Sequence, residues 1–262
     1  GPFVATLDAD DIWHPDKIAL QMSAMASGGA DTGFVYCLSR RIDAGGRALG
    51  TLKTHPLEGR IFLRSLLFNP VGNGSSMLAR RSAVEEAGGF HPDPEVQEDN
   101  LLQILISRSW RVALVPRYLT GYRVSDISRS ADLDRTARGR IRVLQEVRER
   151  FPETPPAALA LAEGRLRAVL ATQAFDQGRI RRGLQELARG CRLAPGLATE
   201  FAAVHLVSGI KIRLRAMHGG GRASGPPPGA DFFDCNPAAP LGRPPRPLEG
   251  RRLAALERLE AQ

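Results

Sequence analysis

The sequence predicts an α/β domain followed by an α-helical region and a tail of different composition. Three observations carry this. The apolar run Phe3 to Leu7 passes through a polar loop into the helical pattern Lys17-Ile-Ala-Leu-Gln-Met22, the order of strand, loop and helix. Further on, Trp110-Arg-Val-Ala-Leu-Val-Pro116 reads as another strand, behind a helix so apolar (Leu101-Leu-Gln-Ile-Leu-Ile106) that it must be buried. After residue 130 the apolar positions recur at helical spacing, until glycine and proline take over at Gly219. These shifts divide the chain into residues 1–135, 136–218 and 219–262.

The first loop carries three carboxylates within four residues, in Asp8-Ala-Asp10-Asp11. Such a cluster repels itself unless neutralised, and a divalent cation with hard oxygen ligands neutralises it most simply. The plain alternative is a solvated acidic turn that caps the next helix. An EF-hand is excluded, because counting from Asp8 puts Trp13 where a glycine is required. A loop between strand and helix is also where open α/β sheets bind ligands.

A second block runs from Asn69 to Asp99. The small residues Asn73-Gly-Ser75-Ser76 are suited to close approach of a substrate, and equally to an ordinary turn. Ala83-Val-Glu-Glu-Ala followed by Gly88-Gly89 reads as a helix with a positive-φ cap, with Phe90 expected to pack back on the sheet. Glu98-Asp99 precedes the apolar helix expected from about Asn100. A carboxylate there, in a partly enclosed pocket, is a competent general base toward an acceptor hydroxyl. The helix dipole should keep Asp99 ionised, and Glu98 is free to orient it, bind acceptor hydroxyls or cap the helix.

Taken together, Leu7-Asp-Ala-Asp-Asp-Ile-Trp-His-Pro-Asp-Lys17 and the block ending in Gly88-Gly-Phe90 and Glu98-Asp99 resemble the family 2 glycosyltransferases, which are inverting enzymes with the GT-A fold. The resemblance implies a partial GT-A (nucleotide-diphospho-sugar transferase) mixed sheet. It also implies transfer of a sugar from a nucleoside-diphosphate sugar to a glycan or lipid-linked acceptor hydroxyl, in cell-surface glycan synthesis. By that analogy Asp8 and Asp10 hold Mg²⁺ or Mn²⁺ and the donor diphosphate, Asp99 is the general base with Glu98 beside it, and Asn73, Gly74 and Ser75 line the acceptor. Asp11 matches a common third acid, either second-shell, capping or a direct ligand. Relatives carry a nucleotide-binding half before this motif, so the resemblance implies an N-terminally truncated chain whose first strand is left on an edge.

Behind the strand at 110–116, residues 118–130 are expected to form a polar loop. Relatives often show Tyr-Arg-x-His-x-x-Ser-x-Ser there, closing over the diphosphate. In this chain Ser125 stands where the histidine would be, so either water replaces a metal ligand or Arg123 and Arg129 supply positive charge to the leaving group. Solvated loop arginines are the alternative. His14, His55, His91, His205 and His218 show no paired spacing.

The charge is uneven. Residues 1–135 hold 15 Lys/Arg against 16 Asp/Glu, and residues 136–262 hold 21 against 12, so the whole net charge of +8 sits in the second half. With few aromatics beside those arginines, stacking on bases is not suggested and no nucleic-acid partner is expected. An anionic membrane surface suits the basic helical region better, with simple solubility as the alternative. The helices expected at 132–150 and, about Asp176-Gln-Gly178, at 157–193 include one hairpin. Its Ala171, Gly183, Leu187, Gly190 and Pro195 are similar in spacing to a tetratricopeptide repeat. A third helix, 199–217, is too short to cross a bilayer, and the Gly/Pro-rich tail is expected to be disordered, ending in a short charged helix from Leu248. Cys37, Cys191 and Cys235 are far apart and form neither a zinc motif nor a disulfide framework. The expected setting is cytoplasmic, at the inner face of the cell membrane. The competing reading is a non-catalytic helical-repeat interaction protein carrying a degenerate glycosyltransferase remnant.

Overall fold

The computed structural model describes residues 1–52, 54–93, 97–124, 133–195, 230–235 and 247–260. They form a mixed α/β structure that divides into two compact units: residues 1–131 with 225–262, and residues 132–224.

The first unit is built on a mixed sheet of six strands among the described residues. They are β1 (Phe3–Ala5), β2 (Ile12–Trp13), β3 (Thr32–Ile42), β4 (Ala48–Thr51), β5 (Met77–Arg80) and β6 (Arg111–Arg123). The order is β1-β5-β3-β6-β2, with β4 pairing β3. Only β3 and β6 run parallel; β5 is antiparallel to both β1 and β3. The helices are α1 (Lys17–Ser27), α2 (Phe62–Leu67), α3 (Arg81–Glu86) and α4 (Glu98–Ser109), with a 3-10 turn at Gly74–Ser76 before β5.

β3 is buried on both faces, which its apolar run Gly-Phe-Val-Tyr-Cys-Leu requires. Phe34 and Tyr36 meet Leu102 and Ile106 of α4 on one side; Val35 and Cys37 meet Met25 of α1 on the other. Gly33 lets α4 and β6 approach this strand, for a Cβ there would lie 2.4 Å from Trp110 Cβ and 2.8 Å from Ile106 Cγ2. Gly33→Ala should therefore lower stability by about 1–3 kcal/mol, read as a shift of the urea midpoint at unchanged slope.

Three local expectations are revised. β1 covers Phe3–Ala5 and is only half-buried, with Leu7 exposed, because β1 ends the sheet and pairs on one side alone. The polar loop expected from Tyr118 begins later: β6 continues to Arg123, and the register shift between Cys37 and Leu38 absorbs Pro116, which has no N–H to give. Gly88 and Gly89 both have positive φ and close α3 as expected, but Phe90 stays exposed instead of returning to the sheet.

Within the tail, Ala230 O accepts the Ala48 N–H at the start of β4, the Phe232 N–H donates to Gly46 O in the turn between β3 and β4, and α8 (Pro247–Glu260) lies against α2. There Glu260 accepts from Arg64 Nε at 2.7 Å and from the Arg64 backbone N–H at 2.9 Å.

The second unit contains α5 (Leu133–Arg150), α6 (Pro156–Asp176) and α7 (Ile180–Leu193). The small residues of the hairpin sit at the crossing of α6 and α7: a Cβ on Gly183 would enter the Phe175 ring, and one on Gly190 would come 3.2 Å from Gly164 O. Arg167 links the two helices, giving hydrogen bonds to Glu163 and Glu186 at 3.1 and 3.0 Å. The expected helix 199–217 lies outside the described residues. No helix among the described residues is long and apolar enough to cross a membrane.

Candidate active site

The 3-10 turn at residues 74–76 is where the two acidic segments of the sequence meet. β1 delivers the acidic loop to one side of it: Thr6 Oγ1 donates to Gly74 O at 2.7 Å, and the Asp8 backbone N–H donates to Ser75 Oγ at 3.0 Å. α4 presents Asp99 on another side, close enough that a Cβ on Gly74 would lie 3.5 Å from Asp99 Cβ and 3.8 Å from Asp99 Oδ2. Asp8, Asp99, Gly74 and Ser75, 24 or more positions apart between segments, thus share one small region.

Asp8 and Asp10 are exposed at the loop, whereas Asp11 is buried. Its Oδ1 accepts the Arg123 backbone N–H at 2.9 Å, and burial pushes its carboxyl up, the Ser75 and Arg123 hydrogen bonds working against that. The charges of Asp8 and Asp10 push it further up. Asp11 thus ties the loop to β6 through its Oδ1.

Asp99 falls in the first turn of α4, which starts at Glu98 rather than near Asn100. Its Oδ1 accepts the Asn100 backbone N–H at 2.7 Å. The helix dipole does not keep this carboxyl in the ordinary range. Burial outweighs the dipole, and with help from the charges of Glu98 and Asp8 the pKa rises from 3.8 to about 6.

Asn73 is buried, with Oδ1 accepting from Ser76 Oγ at 2.7 Å and Nδ2 without a partner among the described residues. Ser75 is turned toward the acidic loop, its carbonyl accepting from Trp13 Nε1 at 2.7 Å. Arg123 stands beside the loop, but its Nε and Nη1 are given to backbone carbonyls: Asp10 at 2.6 Å, Asp43 at 2.5 Å and Ala44 at 2.6 Å. In this arrangement it braces the loop against the β3–β4 turn. Arg129 and Ser125 lie outside the described residues.

Among the described residues no three His, Cys, Asp or Glu side chains converge as a complete metal cage. The donor set nevertheless fits a divalent ion of the Mg²⁺ class, which takes one or two carboxylates and completes its shell with water and substrate phosphate. Mutual repulsion supports the fit: Asp8 raises Asp99, Asp8 and Asp10 raise Asp11, and Asp11 Oδ2 is buried without a partner among the described residues. A cation at this loop would relieve all of these at once.

The sequence reading missed the residues that carry the turn from beneath. Lys17, Gln21 and Met25 are all buried on one face of α1, and the first two are polar. The spacing i, i+4, i+8 was visible in the sequence and would have placed them together.

No protein-family model and no curated protein matches this chain. Among solved structures, it is similar to the mannosyltransferase PcManGT from Pyrobaculum calidifontis in complex with GDP-Man and Mn²⁺. The identity is 21%, the TM-score 0.46, and the match covers 82% of this chain and 56% of that one. This chain thus spans little more than half the length of that structure.

Proposed function

We propose that this chain is the catalytic part of an inverting glycosyltransferase of the family 2 type, moving a sugar from a nucleoside-diphosphate sugar to an acceptor hydroxyl. The observation that carries the reading is the approach of Asp99, a carboxyl with a pKa of about 6, to the Gly74–Ser76 turn that holds the Asp8 backbone. A base of that pKa is largely ionised at neutral pH and still basic enough to take a proton.

In this mechanism the acceptor oxygen attacks the anomeric carbon, its proton passes to the Asp99 carboxylate, and the bond from that carbon to the diphosphate oxygen breaks with the electron pair leaving on the nucleoside diphosphate. A single displacement of this kind inverts the anomeric centre. Asp8 and Asp10 would hold Mg²⁺ or Mn²⁺, which supplies charge stabilisation to the departing diphosphate. Arg123 fixes the backbone of the loop through Asp10 O, and Asp11 ties the same loop to β6. Asn73, Gly74 and Ser75 bound the acceptor side, where Gly74 leaves the space in front of Asp99 open.

In this reading residues 1–135 carry the chemistry and residues 136–218 form a helical appendage. The basic helical region offers peripheral contact with an anionic membrane face, and the acceptor is a glycan or lipid-linked sugar of the cell envelope. The experiment is a panel of sugar nucleotides assayed with the full chain and Mn²⁺. Substituting Leu for Gly74 should raise the acceptor KM at least about tenfold while Ala is tolerated, because an Ala Cβ makes ordinary contacts there.

A further inference from the structure

We propose that Lys17 is a positioning residue for the acidic loop: its buried ammonium orients Gln21 and Trp13, and these two side chains hold the 74–76 turn on which the Asp8 backbone rests. The inference rests on the reading of that loop as the metal and donor site.

A lysine fully withdrawn from water is costly, and the layer packing does not demand one. Met25 already fills the same face of α1 with an apolar side chain two turns on. Nor is Lys17 there to complete an ion pair, for its charge faces the Cys37 thiol and the neutral Gln21 amide.

What Lys17 does is fix hydrogen-bond direction. An ammonium can only donate, so the 2.8 Å contact from Nζ requires the oxygen of the Gln21 amide to face it. The Gln21 nitrogen must then point the other way, where it donates to Val35 O at 3.1 Å and Ser76 O at 2.8 Å. Val35 O and Ser76 O select the same orientation, so the ammonium at one end and the two carbonyls at the other hold the amide between them. The same Nζ lies 4.1 Å from the centroid of the Trp13 ring, within cation–π range. Held so, Trp13 Nε1 donates to Ser75 O at 2.7 Å.

Two adjacent carbonyls of the turn, Ser75 O and Ser76 O, are therefore both held by partners of one lysine. On the opposite side, Ser75 Oγ receives the Asp8 N–H and hydrogen-bonds the Asp11 carboxyl. The path from Lys17 to the acidic loop has two links, through Trp13 and Gln21, and touches no reacting atom.

The test uses the full chain, with Mn²⁺ alone as the probe, free Mn²⁺ being counted by electron paramagnetic resonance. The chain has two tryptophans, Trp13 and Trp110, so its ¹⁵N-indole spectrum has two peaks. Lys17→Met keeps the bulk and removes the donor. It should melt no lower than wild type, bind Mn²⁺ about 10- to 100-fold more weakly, and speed solvent exchange of the Trp13 indole proton while leaving the Trp110 peak in place. Trp13→Phe keeps a ring under the ammonium but loses the indole donor; it should show the same loss of Mn²⁺ affinity, and it decides the matter if Lys17→Met does not fold. Wild-type Mn²⁺ affinity in both folded variants overturns the proposal, as does movement of both indole peaks together in Lys17→Met, which marks general loosening. Failure of the wild-type chain to bind Mn²⁺ at all would instead remove the metal reading on which the proposal stands.

Discussion

Asp99→Asn is expected to abolish sugar transfer and at the same time stabilise the protein above pH 6. Loss of a positioned general base costs about 10²- to 10⁴-fold in rate. The gain in stability follows from the raised pKa. Well below pH 3.8 the carboxyl is protonated in both folded and unfolded chains and contributes no penalty. Between its ordinary 3.8 and its folded value of about 6, the folded chain keeps a proton that the unfolded chain has released; above 6 it must carry a charge in a confined site. Stability is therefore lost as pH rises through this window, and the full loss persists at pH 8.

The Asn side chain has no charge to bury, and its oxygen can still accept the Asn100 N–H. At pH 8 the variant should gain on the order of 2 kcal/mol over wild type, a rise of several degrees in Tm, and at about pH 3 the gain should vanish. A purely structural N-terminal carboxylate would show the reverse, with the variant less stable at pH 8.

The second large effect concerns Asp10. Asp10→Asn should reduce Mn²⁺-supported turnover by at least about 100-fold, because stabilising the charge of the leaving diphosphate is worth several kcal/mol. Asp10 is exposed, and its charge opposes ionisation of Asp11. Its removal should therefore leave Tm unchanged or slightly raised, so that the loss of turnover cannot be ascribed to unfolding. Treatment of the wild-type enzyme with a chelator should reproduce the loss, and added Mn²⁺ should reverse it. Unchanged turnover in Asp10→Asn would assign the acidic loop to capping and solvation.

Much of the site was legible because its residues advertise themselves locally. Asp8, Asp10 and Asp11 lie together in sequence, and Glu98-Asp99 stands directly before an apolar helix, so strand-to-loop and loop-to-helix signals placed both segments at element ends. Their meeting on the 74–76 turn was not written in either segment. It depends on β5 pairing with both β1 and β3, which carries the turn before β5 up to the start of the acidic loop.

Other features were not legible locally, because tertiary burial decides them. The helix dipole predicts an ionised Asp99, which a pKa of about 6 still allows at neutral pH, but desolvation sets how far that pKa is raised. Lys17 reads as an ordinary first-turn lysine until β3 and the 74–76 turn close over it. Arg123 reads as a loop arginine, whereas β6 extends through it and its Nε and Nη1 go to backbone carbonyls. Phe90 has the character of a core residue but is exposed among the described residues.

The most direct measurement is the pH dependence of Mn²⁺-supported sugar-nucleotide turnover, compared between the full wild-type chain and Asp99→Asn. The wild-type rate should fall with decreasing pH through a single ionisation at or below about 6, as Asp99 gains its proton with Mn²⁺ offsetting the charge of Asp8. The residual rate of the variant should lie two or more orders of magnitude lower and lack that limb. Wild-type rate in Asp99→Asn, with the same acid limb, would contradict the assignment of Asp99 as the base.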